Sequence, residues 1–200
     1  MTITFLVSAL FFTALPQSAA KDDPLATVRF FVGHWEGTGI GEPGRSTVER
    51  EYQFVLGGKF LQAKNVSHWA PRDKTPEGET HEDLGLMGYD KARKTIIFRQ
   101  FHIEGFVNQY AMEPVRDPKT MVFVTEAIEN IAPGWRARET YHILSSDEFE
   151  EVFELAAPGK GFELYSKSHL RRTTGCSGPT QAPKGPGQEP WMKERAARAA

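Results

Sequence analysis

Short runs of apolar and aromatic residues alternate with turn-forming clusters along most of this chain. From residue 35 to residue 173, runs rich in Phe, Tyr, Val, Ile and Thr are separated by groups of Gly, Pro, Asp, Asn and Ser. This pattern is typical of short β-strands joined by turns. We predict ten strands, at residues 35–40, 46–56, 59–69, 83–90, 95–102, 105–114, 120–129, 135–144, 149–157 and 162–173.

The links between most of these runs have the length of hairpin turns. Residues 57–58 are Gly-Gly, and residues 90–94, 117–120 and 158–161 are short polar turns, whereas only residues 70–82 form a long connection. Short links require antiparallel neighbours, because a parallel pair needs a crossover helix. Ten such strands either leave two bare edges or close into a barrel, and closure removes the edges. We therefore predict an all-β fold, a ten-stranded antiparallel up-and-down barrel.

A short helix precedes the first strand. Pro24 suits a first helical turn, and Leu25, Val28 and Phe31 fall close to one face before Gly33 ends the helix.

The two ends of the chain differ from this body. Residues 1–20 hold an apolar run followed by small residues, which is typical of a signal peptide cleaved before Lys21. The run is too short to span a membrane, so we predict a periplasmic or secreted protein with no stable membrane span after cleavage. The barrel domain is predicted at residues 21–173, and the Gly- and Pro-rich residues 174–200 are predicted to be a disordered tail.

Composition excludes several function classes. The 24 Lys and Arg against 26 Asp and Glu give a formal net charge of −2, so a basic surface for nucleic acid is not indicated. Cys176 is the only cysteine, which excludes an internal disulfide framework. No histidine pair has the spacing of a helical zinc site, so the sequence predicts no metal site of that kind.

Polar residues interrupt the apolar faces of several predicted strands. A ten-stranded barrel has room for a cavity, because its diameter grows with strand number. We predict that Arg50, Arg99, Asn108, Tyr110 and Tyr141 contact a ligand there. A buried arginine needs a carboxylate, such as Glu139 across the barrel, or an anionic head group of the ligand. The alternative is that both arginines lie at the rim and extend outward.

Three segments resemble known barrels. Residues 31–39 (FVGHWEGTG) resemble the opening of lipocalin-like (calycin) barrels, and the extended Gly-x-Trp-x-Gly-x-Gly form resembles nitrobindin-like heme barrels. Residues 56–62 (LGGKFLQ) and 83–90 (DLGLMGYD) resemble uncharacterised exported bacterial barrels of the same superfamily. The resemblance implies a structural role for Gly33 and Trp35, with Arg171 or Arg172 of the last strand lying across the indole.

The nitrobindin-like resemblance also implies a cofactor. In those barrels a histidine in a His-Leu context on the last strand ligates heme iron, and His169 precedes Leu170 here. The alternation of the strand opposes this role, since His169 points to solvent if Leu164 and Leu170 face the cavity.

These observations favour an exported, non-enzymatic barrel that holds a small hydrophobic or amphipathic molecule with an anionic head group. The first alternative is a heme or nitric-oxide-handling protein with His169 as the iron ligand. The second is an enzyme with its active site in the cavity, in which His102, Glu104 or Glu139 acts as the general base.

Overall fold

The computed structural model describes residues 23–42, 44–73 and 75–173 of the chain. They form one short 3-10 helix and ten β-strands, which confirms the predicted all-β barrel. The predicted signal peptide and tail, at residues 1–20 and 174–200, lie outside the described residues. The elements are the 3-10 helix Ala26–Phe31, β1 Gly33–Gly41, β2 Gly44–Val55, β3 Phe60–Trp69, β4 Glu79–Asp90, β5 Thr95–His102, β6 Val107–Glu113, β7 Thr120–Glu129, β8 Arg136–Ser145, β9 Glu148–Ala156 and β10 Glu163–Thr173.

Every strand pairs antiparallel with the next strand in the chain, and β1 pairs with β10 to close the barrel. At this seam Trp35 lies opposite Arg172 and Gly37 lies opposite Leu170. Gly37 is required there, because a Cβ atom at this position would lie 1.9 Å from the carbonyl oxygen of His169. Within the described residues no helix has the length and apolarity to cross a membrane.

Strand β4 begins earlier than the sequence predicts. Residues 79–82 extend the strand, although their polar composition assigns them to a surface connection. Their backbone pairs with β3, where His81 lies opposite Ser67 and Glu79 lies opposite Trp69. The longer strand carries His81 into the wall of the barrel.

The helix closes one end of the barrel with aromatic side chains, and we call this end the plugged half. Phe31 from the helix stacks on Tyr52 with ring centroids 5.1 Å apart and meets Tyr141 edge-on at 5.0 Å. Phe149 packs against Trp35 at 4.7 Å. All five rings are buried, so this half of the barrel has a solid aromatic core.

Trp35 is held at this end by the helix and by the last strand. Its side chain is 1% exposed, and its Nε1 donates a hydrogen bond of 2.6 Å to the carbonyl oxygen of Phe31. The guanidinium of Arg172 lies 4.1 Å from the indole centroid. The cation–π contact implied by the resemblance is therefore confirmed, and Arg172 makes it. Arg171 instead lies exposed on the outer wall.

Gly33 connects the helix to β1 with a φ of +124°, which lies in the region that glycine favours. A Cβ atom there would meet Nη1 of Arg172 at 3.0 Å. Gly33 thus allows the turn from the helix into β1 next to Arg172, which is a structural role of the kind predicted for it.

Candidate functional site

The half of the barrel opposite the helix contains a cavity of about 100 Å³, which we call the polar cavity. It lies among the strand ends at which β1 passes to β2, β3 to β4, and β5 to β6. Its lining combines aromatic rings with charged and hydrogen-bonding groups. The residues include Ser46, Arg50, Ser67, Trp69, His81, Asp83, Gln100, His102, Phe106, Glu139, Glu151, Phe153, Tyr165 and Ser168.

Arg50 faces this cavity from β2, as predicted, and its side chain is neutralised. The residue is 7% exposed. Its Nη2 donates to Oε1 of Glu151 at 3.1 Å, and its Nη1 donates to the carbonyl oxygens of Glu49 and Val66, both at 3.0 Å. The carboxylate that a buried arginine needs is therefore present across the barrel, but it is Glu151 rather than Glu139.

Arg99 does not reach the cavity, and the prediction that it lies inside is wrong. It stands on the outer face of β5, where its Nε donates to Oε1 of Gln109 at 3.1 Å. The neighbours that suggested an apolar face differ from each other, because Ile97 is buried while Phe101 is exposed. The inward side chains of β5 are Ile96, Phe98, Gln100 and His102.

The other three predicted ligand contacts are not among the residues that line the cavity, and instead form one hydrogen-bonded chain with Glu139. The amide nitrogen of Asn108 donates to the hydroxyl of Tyr110 at 2.9 Å, and this hydroxyl donates to Oε1 of Glu139 at 3.2 Å. The hydroxyl of Tyr141 donates to the other carboxyl oxygen. Burial, together with the nearby charge of Glu151, raises the pKa of Glu139 to about 8. These surroundings therefore favour the protonated form of the carboxyl group.

Two histidines and two carboxylates form a second cluster on the cavity wall, which we call the imidazole–carboxylate cluster. Nδ1 of His81 lies 2.8 Å from Oε1 of Glu104. Its Nε2 lies 3.6 Å from Oδ2 of Asp83 and 3.3 Å from Nδ1 of His102. These atoms could exchange protons with a bound molecule or coordinate a cation.

The two imidazoles have opposite electrostatic surroundings. Burial lowers the pKa of His81, but hydrogen bonds to Asp83 and Glu104 outweigh burial and raise the pKa to about 10. Burial lowers the pKa of His102 to about 4. With no molecule or ion bound, the His81 ring is cationic and the His102 ring is neutral at pH 7.

The predictions from sequence miss His81 and Asp83, and they assign His102 and Glu104 only to a general-base alternative. The available signal is a His-x-acid pair repeated in two regions, His81 with Asp83 and His102 with Glu104. Residues two apart on a strand share a face. The signal is lost when residues 79–82 are assigned to a loop, because the alternation of a strand then says nothing about the direction of the His81 side chain.

His169 stands on the outer wall, as the strand alternation indicates. Its side chain is 44% exposed, and its Nε2 lies 2.6 Å from Oε1 of Glu148. A heme inside the barrel therefore has no ligand in His169. The residues present therefore do not fit the heme site that the nitrobindin-like resemblance implies.

Comparison with known proteins supports the fold alone. No family model matches the chain, and no curated protein matches it. The structure of Rv2717c from M. tuberculosis has a TM-score of 0.57 and 17% sequence identity, covering 75% of this chain and 97% of that one.

Two designed proteins are more distant. A de novo fluorescence-activating β-barrel has a TM-score of 0.36 and 14% identity, over 72% of this chain and 95% of that one. The protein EF1p2_mFAP2b bound to DFHBI has a TM-score of 0.41 and 9% identity, over 76% of this chain and 100% of the other. Fold and site together define the class: a closed ten-stranded up-and-down β-barrel with a polar cavity at one end.

Proposed function

We propose that this protein binds a small amphipathic molecule in the polar cavity. The observation that carries the proposal is the placement of buried charged and hydrogen-bonding groups around one void, while the plugged half of the same barrel is filled with aromatic rings. Burying charges and polar groups costs free energy unless they are paired. Stability alone therefore does not explain why half of the interior contains such groups.

The cavity limits the size and shape of the ligand. An apolar cavity of about 150 Å³ holds benzene, so a cavity of about 100 Å³ suits an inserted group about the size of a single small ring. Trp69, Phe106, Phe153 and Tyr165 supply apolar surface around it. Nε1 of Trp69 is buried and has no hydrogen-bond partner among the described residues. A polar edge of the ligand would complement this donor.

The charges in the cavity favour a neutral or cationic ligand over the anionic head group that the sequence suggests. Arg50 is matched by Glu151, and its guanidinium already donates to two backbone carbonyls. The charge of His81 is matched by Asp83, and Glu104 adds a further carboxylate. Both cationic side chains in this set therefore already have a carboxylate partner, which disfavours the binding of an anion.

Native mass spectrometry of the protein purified from its own host tests the proposal. A retained ligand would appear as a discrete mass above that of the chain. The matched variants are Ser168→Leu, which fills the cavity from β10, and Ser145→Leu, which adds the same side chain to an exposed position at the far end of β8. We expect the first variant to lose the ligand and the second to keep it. Retention in Ser168→Leu would show that the ligand binds elsewhere.

A second candidate function is an enzyme that uses the cavity. The observation in its favour is a pair of titratable groups with pKa values displaced in opposite directions, His102 lowered to about 4 and Glu139 raised to about 8. A neutral imidazole is a base and a protonated carboxyl is an acid. A screen with activated esters would favour this function if turnover is lost in His102→Ala and kept in His142→Ala, a histidine on the outer face of β8.

We further propose that the chain is exported and that the mature protein begins at Lys21. The apolar run and the small residues before Lys21 support this proposal. N-terminal sequencing of the protein from the host would give Lys-Asp-Asp-Pro if cleavage occurs there, and Met-Thr-Ile-Thr or Thr-Ile-Thr if no cleavage occurs.

A further inference from the structure

Three residues of the imidazole–carboxylate cluster are arranged as metal ligands. Side-chain ligand atoms of His81, Asp83 and His102 all lie within 4.8 Å of one another. His81 and Asp83 are two residues apart on β4, so they share the inner face of the barrel. His102 on β5 lies directly opposite Asp83 in the strand register. We propose that these residues bind a divalent transition-metal ion of the Zn²⁺ type on the wall of the polar cavity.

Two of the three distances between these residues are close to those in a tetrahedral coordination sphere. Two ligands bonded to zinc at about 2.0–2.1 Å with tetrahedral angles lie about 3.3–3.4 Å apart. Nε2 of His81 lies 3.3 Å from Nδ1 of His102 and 3.6 Å from Oδ2 of Asp83. The ligand atoms of all three residues lie within 4.8 Å of one another, so rotation of these side chains would bring them around a shared metal ion.

Neighbouring side chains form hydrogen bonds with two of these residues of the kind that supports metal ligands. Metal-binding histidines commonly donate their other N–H to a carboxylate, which fixes the tautomer. His81 has this partner, because its Nδ1 lies 2.8 Å from Oε1 of Glu104 and its Nε2 faces the cluster. Asp83 is held in the same way, since its Oδ1 accepts hydrogen bonds from Asn65 at 2.7 Å and from Gln100 at 3.0 Å. Its Oδ2 is turned toward His81.

Asn108 supplies an independent sign of a missing hydrogen-bond donor beside this site. The residue is 1% exposed, and its Oδ1 has no hydrogen-bond partner among the described residues. Its Nδ2 instead lies 3.1 Å from Nε2 of His102. When Nδ1 of His102 coordinates a metal, Nε2 carries the proton. A half-turn of the Asn108 amide then lets Oδ1 accept that proton.

Three protein ligands leave a fourth coordination position for water or a small molecule. All three residues line the polar cavity, so this position faces the space in which we propose that a ligand binds. The metal site itself does not depend on that ligand. The competing arrangement is a proton in place of the metal, with a charged His81 shared between Asp83 and Glu104.

Metal titration of the purified full-length protein tests the proposal. After treatment with a chelator, the protein is titrated with Zn²⁺ by calorimetry and, in a separate sample, with Co²⁺ followed by visible absorption. We expect one ion per chain and the intense absorption of tetrahedral Co²⁺. The absorption reports coordination in the wild-type protein, so it does not depend on any variant that fails to fold.

Variants assign the site. Asp83→Asn keeps the size of the side chain and removes its charge, and His102→Ala removes a ring nitrogen. We expect each to weaken Zn²⁺ binding by at least ~100-fold, the upper end of the loss that follows a change in a supporting partner alone. Glu104→Gln removes only the negative charge of the group that holds His81, so we expect a loss of about 10–100-fold. His68→Ala and His142→Ala are the controls and should bind as the wild type does, because both residues pair with threonines outside the cluster.

Two results would overturn the metal site. One is a folded wild-type protein that binds neither ion stoichiometrically, which would assign a proton to the cluster. The other is binding that survives both Asp83→Asn and His102→Ala, which would place the ion elsewhere on the chain.

Discussion

The two halves of this barrel use the same strands for opposite purposes. Toward the helix, inward side chains such as Trp35, Tyr52 and Phe149 form a solid aromatic core. Toward the other end, the same strands β2 and β9 carry Arg50 and Glu151 inward. On both strands, the aromatic residue of the plugged half and the charged residue of the polar half are neighbouring inward positions: Tyr52 and Arg50 on β2, and Phe149 and Glu151 on β9.

This division separates stability from chemistry within one closed sheet. The plugged half buries large apolar area, which is the main favourable contribution to folding. The polar half buries groups whose desolvation opposes folding. Such an arrangement is viable because closure of the barrel leaves no sheet edge to protect in either half.

The largest effect should follow removal of the aromatic plug. We expect Trp35→Ala to lower the free energy of unfolding by about 3–5 kcal/mol, because it empties a fully buried site and removes the contact with Arg172. Trp69→Ala, at a half-buried tryptophan beside the polar cavity, should cost less than half of that. Denaturant unfolding measures both. Equal losses would contradict the division into two halves.

Breaking the buried ion pair should rank second. Arg50→Leu leaves Glu151 without its partner, and we expect a loss of about 3 kcal/mol. The double variant Arg50→Leu/Glu151→Leu should recover most of that loss, because no unpaired charge remains. Arg99→Leu is the control on the outer wall and should change stability by less than ~0.5 kcal/mol. A double variant as unstable as Arg50→Leu would show that the pair contributes net stability.

The raised pKa of Glu139 predicts a pH dependence. Its pKa is about 8 in the folded protein and near its ordinary value of 4.5 when unfolded. Between these values the folded state holds a proton that the unfolded state has lost, so stability falls as pH rises. Relative to Glu139→Gln, the wild type should lose at least ~1.4 kcal/mol between about pH 5 and pH 8, the equivalent of one pKa unit.

Unfolding by denaturant at several pH values measures this difference. Glu139→Gln keeps an oxygen for one tyrosine hydroxyl and cannot titrate. Parallel pH profiles of the two proteins would mean that Glu139 is ionised in the folded state.

The smallest effect should be that of His169. Because its contact with Glu148 is exposed, His169→Ala should change the free energy of unfolding by less than ~1 kcal/mol. Added hemin should give the same absorption spectrum with the wild type and with this variant. A Soret band that disappears in His169→Ala would restore the heme hypothesis and contradict the outward placement of this residue.

The number, order and pairing of the strands could be predicted from the sequence, because turn residues punctuate the chain and short links force antiparallel pairs. The faces of individual strands were harder to predict. In β5, Ile96, Ile97 and Phe98 are all buried. The alternation therefore does not show which residues of this strand face inward, and the prediction puts Arg99 on the wrong face. In β10, an irregularity in the strand register between Leu164 and Ser166 turns Tyr165 inward. Regular alternation would place Tyr165 on the same outer face as His169.

The candidate site was predictable only in part. Asn108, Tyr110 and Tyr141 lie on strands with clear alternation, and all three are buried in the interior, although none of them is among the residues that line the polar cavity. The pairing of His81 with His102 depends on the register between β4 and β5, which no single strand encodes. Side chains that meet across strands therefore become visible only when the register is known.

The seam between β1 and β10 also bears on how the molecule reaches its folded state. Every other pair of neighbouring strands is consecutive in the chain, whereas Trp35 and Arg172 are brought together across almost the whole barrel sequence. Such distant contacts carry the largest loop-closure entropy and form slowly. The ribbon of hairpins should therefore assemble first, and docking of Arg172 over the indole should mark the final, rate-limiting step of closure.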